Sequence, residues 1–340
     1  MKDYKPRVIA EIGNAHEGSL GIALSMIDMA VESGADLVKF QMHLSEFEST
    51  SFEKFRTNNF QQDKNRQDYW DRVAFTKDQW LKIKNYCVEK NIEFLCSPFS
   101  YEAAKYLFEN NLVKRWKIGS GEVTNFQLLN YVFNSKAEVL VSTGLATESD
   151  LDKLIEFVKV NHKLDQLVLM HCVSQYPTPI ENSALHLIDY LSKKYKVKVG
   201  HSDHSGKIST PMLALTYQIE FLEIHITPNK LFFGPDTTSS LTPEEFRKIV
   251  EFRNDIHLIK RSKFSRDELF KMSEETAKIF RKSLYWGADL TKGSLITDSA
   301  VIIRKPWADT DASELPKVVG KTLARDVAAG LPVKLDEIND

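Results

Sequence analysis

The sequence predicts an α/β protein: a (β/α)8 TIM barrel with a small separate domain at its C-terminal end. Three observations carry this. Short apolar, β-branched runs recur along residues 1–265, and amphipathic stretches with apolar residues at three- and four-residue intervals alternate with them. Polar or ionisable side chains stand at the end of every run. Beyond residue 265 the rhythm changes to short strands and turns.

The first strand is RVIAEIG (7–13), and LGIALSMIDMAVESG after it reads as a helix closed by glycine. ADLVKFQ (35–41) is the second strand. The segment from about 44 to 75 is polar, weakly periodic and too long for an ordinary connection, so it reads as a loop with some helix on the face of the site. IEFLCS (92–97) and VKRWKIG (113–119) follow, then AEVLVST (137–143), with a helix expected to start at Ser149 and the acidic residues after it. LVLMHCV (167–173), KVKVGHS (196–202) and EFLEIHI (220–226) complete the set. Eight strand–helix units in about 255 residues match the barrel in length and order. An open doubly wound sheet would carry a GxGxxG turn after its first strand, and GNAHEG stands there instead.

The chain has 340 residues, 42% of them hydrophobic, which supports one large core and exceeds the usual domain size of ~100–200 residues. Its 45 Lys and Arg nearly cancel 47 Asp and Glu, leaving no electrostatic footprint for nucleic acid or an anionic membrane. Three cysteines are too few for a disulfide framework. No apolar run reaches signal-peptide or membrane-span length, so a soluble, cytoplasmic protein is expected.

In a parallel barrel the strand ends converge on one mouth. There the sequence puts Glu11, Lys39, Gln41, Ser97, Lys117, Ser120, Ser142, Ser174, Tyr176, Ser202, His204, Glu223 and His225. Lys39 and Lys117 lie in apolar strands, where an ammonium needs a partner. Either both face the mouth and neutralise a phosphate or carboxylate, or each pairs with a buried carboxylate. Ser97, Ser120, Ser142 and Ser202 add donors, and Gly119, Gly121 and Gly144 allow close backbone approach. His204 and His225, on neighbouring strands, suit an exchangeable Mn2+ or Mg2+ with positions left for water and substrate. Two hydrogen-bonded structural histidines are the alternative. His16, His171 and His201 stand nearby, whereas His43, His162, His186 and His257 read as surface or loop residues. Glu11 either orients a water or hydroxyl and moves a proton, or forms a salt bridge with Lys39. The YPTP and GPD turns would fix Tyr176 and Asp236.

These segments in this order resemble the sialic acid synthase family, the N-acetylneuraminate and related nonulosonic acid synthases. The matching stretches are AEIGNAHEG (10–18), VKFQ (38–41), SPFS (97–100), KIGSGE (117–122), STG (142–144), HC..QYPTP (171–179), SDHS (202–205), EIHIT (223–227) and GPD (234–236). The C-terminal segment is similar to that family's antifreeze-like (SAF) domain. The resemblance implies a barrel over 1–265, a linker over 266–280 and a SAF domain over 281–340. It also implies condensation of phosphoenolpyruvate with an N-acetylated amino-sugar aldehyde. C3 of phosphoenolpyruvate attacks the aldehyde, water adds at C2, and phosphate leaves by C–O cleavage, giving a nine-carbon 2-keto acid. On this chain Lys39, Ser97, Lys117, Ser120, Ser142 and Ser202 would hold phosphoenolpyruvate, and His204 and His225 would bind Mn2+, with Mg2+ the alternative. Glu11, Lys39, Lys117 and His225 would be catalytic, and Gln41, Ser174, Tyr176, Asp236 and either Arg304 or Lys305 would meet the sugar. A domain-swapped homodimer is implied as well.

Three positions depart from the family pattern: Ser174 stands where Asn is common, Ile224 where Lys or Arg is common, and Arg304-Lys305-Pro306-Trp307 where Arg-Pro-Gly is usual. All three are expected near the acceptor sugar and argue for an acceptor other than plain N-acetylmannosamine, with legionaminic- and pseudaminic-type sugars open. Lys cannot reproduce the planar fork of Arg. Two competing readings are another phosphoenolpyruvate-dependent aldolase and a catalytically degenerate sugar-binding protein. The aldolase would need a second phosphate site, and Arg7, Arg56 and Arg115 do not stand at strand ends.

Overall fold

The computed structural model describes residues 5–56 and 62–339, and the chain divides into two compact units after Arg261. The first unit holds β1 (Arg7–Gly13), β2 (Leu37–Met42), β3 (Glu93–Pro98) and β4 (Trp116–Ile118). β5 (Val139–Ser142), β6 (Leu167–His171), β7 (Lys198–Asp203) and β8 (Phe221–His225) follow. The ladders run β3-β2-β1-β8-β7-β6-β5-β4, and every one is parallel. β3 and β4 lie side by side at the remaining seam, so the expected (β/α)8 barrel is present and nearly closed.

Period-two alternation divides the work of each strand. Val8, Ala10 and Ile12, and likewise Val38, Phe40 and Met42, face the helices and join a core with Ile27, Trp80, Leu128 and Phe246. Ile9, Leu37, Leu95, Leu140, Val168, Met170 and Phe221 pack together inside the barrel. Gly200 belongs to this layer by necessity, since a Cβ there would lie 2.3 Å from the Met170 sulfur and 2.8 Å from the Phe221 carbonyl oxygen. Two residues further along five of these strands stand Glu11, Lys39, Ser97, Ser142 and Glu223. The apolar floor therefore gives way to a polar layer within one strand period.

Helix starts are set by side-chain caps. The helix Glu148–Val160 begins after Thr147, whose hydroxyl accepts from the Asp150 N–H while the Asp150 carboxylate accepts from the Thr147 N–H. That reciprocal box places the start two residues before the expected Ser149.

The 44–75 segment contributes short helices Ser45–Glu48 and Arg66–Val73, and Tyr69, Trp70 and Val73 form a small core packed by Phe55. Positions 57–61 of the expected loop lie outside the described residues. Arg72 ties the segment to Glu17 at 2.7 Å and pairs within it with Asp63 at 2.8 Å, and Phe75 stacks on His16 at 4.2 Å. At the opposite end of the barrel Arg7 and Arg115 share Glu93, and Arg115 and Lys198 share Glu138.

The second unit begins with helices Arg266–Met272 and Glu274–Phe280. An antiparallel pair follows, β9 (Ser283–Trp286) with β10 (Val301–Arg304). Leu284, Trp286, Ile296, Val318, Leu323 and Val333 form its own core. Trp307 packs edge-on against Phe270, and the Arg281 guanidinium lies 4.5 Å over the Trp307 ring. Among the described residues no helix is long and apolar enough to cross a membrane.

Candidate active site

Glu11, Lys39, Lys117 and Glu223 meet inside the barrel with no side chain more than 5% exposed. Lys39 Nζ lies 2.9 Å from Glu11 Oε2 and 3.5 Å from Glu223 Oε1, and Lys117 Nζ lies 3.0 Å from the same Glu223 oxygen. Ser202 donates to that oxygen at 2.9 Å, and Lys39 donates to Ser97 Oγ at 3.4 Å. Four buried charges persist because two cations offset two anions. Burial alone would lower the Lys39 pKa, but the Glu11 and Glu223 charges outweigh it and raise it. Lys117 shares its carboxylate partner Glu223 with Lys39, so burial wins there, helped by the Lys39 charge, and its pKa is lowered. Burial would raise Glu223, yet the two lysines hold it well below the usual carboxylate range. The lysines thus line the mouth and at the same time pair with buried carboxylates, and Glu223, given no role from sequence, is the hub. Its inward position two residues before His225 was the signal.

Above this cluster the His204 and His225 rings stand 5.5 Å apart. His204 Nδ1 donates to the Val173 carbonyl at 2.8 Å, so Nε2 carries the lone pair, near the Tyr176 hydroxyl and Ser202 Oγ at 3.3 Å each. Burial, then the neighbouring His225, lowers the His204 pKa to about 3 and keeps it neutral. Asp236 Oδ2 lies 3.9 Å from His225 Nδ1. Among the described residues no group of three or more His, Cys, Asp or Glu side chains is arranged to hold a metal ion. The donor set here is a two-nitrogen one. His171 and His201 are bonded elsewhere, to the Ser183 and His171 carbonyls.

Two residues at the mouth escaped the sequence reading, Arg56 in the 44–75 segment and His43 just before it. Arg56 reaches Asp236 and lies 4.1 Å over the Tyr176 ring, so it does stand at the mouth. His43 is buried rather than a surface residue, stacked on Trp70 at 3.6 Å and Phe99 at 4.2 Å. Its position continues the inward series Lys39, Gln41, His43, a periodicity that could have found it. Arg56 sits in a loop without periodicity and carried no such signal.

Glu11, Lys39, Gln41, Ser97, Lys117, Ser120, Ser142, Tyr176, Ser202, His204, His225 and Asp236 all line one cavity of about 420 Å3, enough for two small substrates. Ser174 stands just behind, its hydroxyl 3.1 Å from Ser120 Oγ. Arg304 and Lys305 are exposed in the second unit, with Lys305 Nζ 4.9 Å over the Phe280 ring. Ile224 is fully buried among core residues on the helix-facing side of β8 and does not line the cavity, contrary to the expectation that it lies near the acceptor sugar.

The chain matches the NeuB family over residues 26–265 and the SAF domain over 281–339. It is 30% identical to an N,N'-diacetyllegionaminic acid synthase of Legionella pneumophila, over 97% of this chain and 94% of that protein. It is 29% identical to a pseudaminic acid synthase of Campylobacter jejuni, over 98% and 96%. Among solved structures, the N-acetylneuraminic acid synthetase of Leptospira borgpetersenii superposes with a TM-score of 0.69 at 30% identity, covering 81% of this chain and 92% of that one. A polar-mouthed barrel that aligns with these synthases along nearly its whole length, and ends in a SAF domain, makes this chain a member of the NeuB family.

Proposed function

We propose that this protein is a nonulosonic acid synthase, condensing phosphoenolpyruvate with an N-acetylated amino-sugar aldehyde and releasing phosphate. The observation that carries the reading is the pair of buried lysines sharing Glu223 beneath two histidines. Phosphoenolpyruvate brings a phosphate and a carboxylate. Lys117, short of negative charge, gains a full partner from either group, and Ser97, Ser120, Ser142 and Ser202 supply hydroxyl donors around it. Glu11, held by Lys39 on one oxygen and Gln41 on the other, is placed to orient the attacking water or an acceptor hydroxyl and to take its proton. Tyr176 and Asp236 also line the mouth, and the acceptor chain would lie against them.

His204 and His225 fit an exchangeable divalent ion, for which we favour Mn2+ over Mg2+. His204 offers its Nε2 lone pair, the His225 ring stands 5.5 Å away, and the remaining positions would fall to water and substrate. When bound, such an ion would polarise the aldehyde. The assignment of residues 266–280 as a linker, a cytoplasmic location and a domain-swapped homodimer belong to the same reading. The exposed Met272, Ile279 and Phe280 of the second unit, and Phe52, Leu145 and Leu231 of the first, favour a second copy as cover.

The test is phosphate release from phosphoenolpyruvate with divalent metal across a panel of N-acetylated hexoses. Release that depends on one acceptor and vanishes in Lys117→Ala and His225→Ala is expected. No release with any acceptor, or full turnover in either variant, would overturn the reading.

A further inference from the structure

One buried titratable pair at the mouth has no part in the chemistry above. His43 Nδ1 lies 2.5 Å from Glu48 Oε1, and His43 Nε2 lies 3.2 Å from Gln41 Oε1. The His43 and Glu48 side chains are 4% and 8% exposed. The imidazole is clamped between Trp70 and Phe99, with interplanar angles of 13° and 17°, so it cannot turn without breaking two stacks.

Hydrogen-bond bookkeeping fixes where the protons are. Gln41 Nε2 donates to Glu11 Oε1 at 2.7 Å, which turns the amide oxygen away from Glu11. That oxygen accepts from Asn14 Nδ2 at 3.3 Å and faces His43 Nε2. An amide oxygen has no proton, so His43 Nε2 is the donor. A neutral His43 then offers a lone pair at Nδ1, and the proton of the 2.5 Å contact comes from Glu48 Oε1. Glu48 Oε2 is fixed separately, accepting from the Leu44 N–H at 3.2 Å. The direction is continuous from Glu48 through His43 and Gln41 to Glu11.

We propose that His43 and Glu48 are a positioning pair: sharing one proton, they fix the Gln41 amide and, through it, the orientation of the Glu11 carboxylate. This rests on the reading of Glu11 given above. If the pair lost its proton, the remaining one would move to His43 Nδ1, and a lone pair at Nε2 would face the Gln41 oxygen. The amide would turn over and set its oxygen against Glu11. Burial supports a neutral pair, pushing Glu48 up to about 8 and His43 well below its ordinary value. The charged and titratable groups around the pair are Arg66 and Glu53 of the 44–75 segment, Lys39 of β2, His16 after β1 and Glu122 after β4.

The experiment measures kcat and KM for both substrates from about pH 6 to 9, with thermal melts as the folding control. In the wild type kcat falls above about pH 8. His43→Phe keeps an aromatic ring but removes both hydrogen bonds, and lowers kcat by about tenfold with KM for phosphoenolpyruvate within about twofold. Glu48→Leu does the same. Glu48→Gln, whose amide still donates to Nδ1 but cannot ionise, keeps more rate than Glu48→Leu and loses the alkaline fall. Wild-type kinetics in His43→Phe, or an unchanged alkaline fall in Glu48→Gln, overturns the proposal. Should His43→Phe not fold, the two Glu48 variants decide it. Glu11→Gln separates the two ideas: full turnover there sinks the reading of Glu11, whereas an inactive Glu11→Gln beside a fully active His43→Phe sinks only the positioning pair.

Discussion

Lys117 Nζ and Glu223 Oε1 sit 3.0 Å apart in a site where Glu223 must also serve Lys39. The cluster balances two cations against two anions, yet one carboxylate oxygen carries most of that balance. Glu223→Gln should therefore destabilise the ligand-free protein by about 3 kcal/mol, the usual result of removing one partner from a buried ion pair. An anion in the cavity compensates the same lysines. The rise in Tm on adding inorganic phosphate is expected to be larger in the variant than in the wild type. Equal melting temperatures without phosphate would show that the lysines have no need of Glu223.

The ionic belt at the far end of the barrel sets a pH dependence outside the site. Burial would raise Glu93, but hydrogen bonds from Arg115 and Arg7 overcome it and lower its pKa in the fold. A carboxylate with a depressed folded pKa gives stability that is present above its ordinary value of 4.5 and lost as pH falls through the folded value. Denaturant melts from neutral to acid pH should show Glu93→Gln less stable than wild type by about 1 kcal/mol near pH 7, discounted for its partial exposure. The gap should shrink as pH falls below 4.5 and through the lower folded value. A gap that widens with acid would reverse the assigned sign.

Arg56 joins the 44–75 segment to Asp236 and Tyr176, the side of the mouth we propose for the acceptor. Arg56→Ala removes a charge-assisted contact at the mouth and leaves the lysine cluster untouched. KM for the amino sugar should change by about tenfold while KM for phosphoenolpyruvate stays within about twofold. Steady-state kinetics with each substrate varied in turn makes the comparison. An effect confined to phosphoenolpyruvate would place Arg56 at the donor end.

Much of this was legible from local rules. Period-two alternation from Ile9 to Glu11, Leu37 to Lys39 and Phe221 to Glu223 predicts an apolar floor under a polar layer, and the barrel shows it. The same rule, carried one step further, reaches His43. What stayed hidden depends on long-range placement. Nothing local tells that Arg56 meets Asp236 across 180 positions of sequence. The shared use of Glu223 by two lysines from different strands is likewise a property of closure. Helix entry was misread by two residues because Ser149 and Thr147 are both good caps in isolation, and only the reciprocal Asp150 bond separates them.

The departures at Ser174 and Ile224 now make opposite predictions. Ile224 packs on the helix side of β8, away from the cavity, so Ile224→Leu should cost less than about 1.5 kcal/mol and leave acceptor preference unchanged. Ser174 stands behind the cavity wall, its hydroxyl on Ser120. It is also crowded by the chain at Gly144, where a Cβ would come within 2.4 Å of Ser174 Oγ. A larger amide at this position has no room toward Gly144 and must extend past Ser120 into the mouth. Ser174→Asn should therefore change the ranking of kcat/KM across a panel of N-acetylated and diacetamido acceptors, with little change in Tm. If Ile224→Leu shifts the ranking and Ser174→Asn does not, acceptor choice is set through the packing of β8 rather than at the cavity wall.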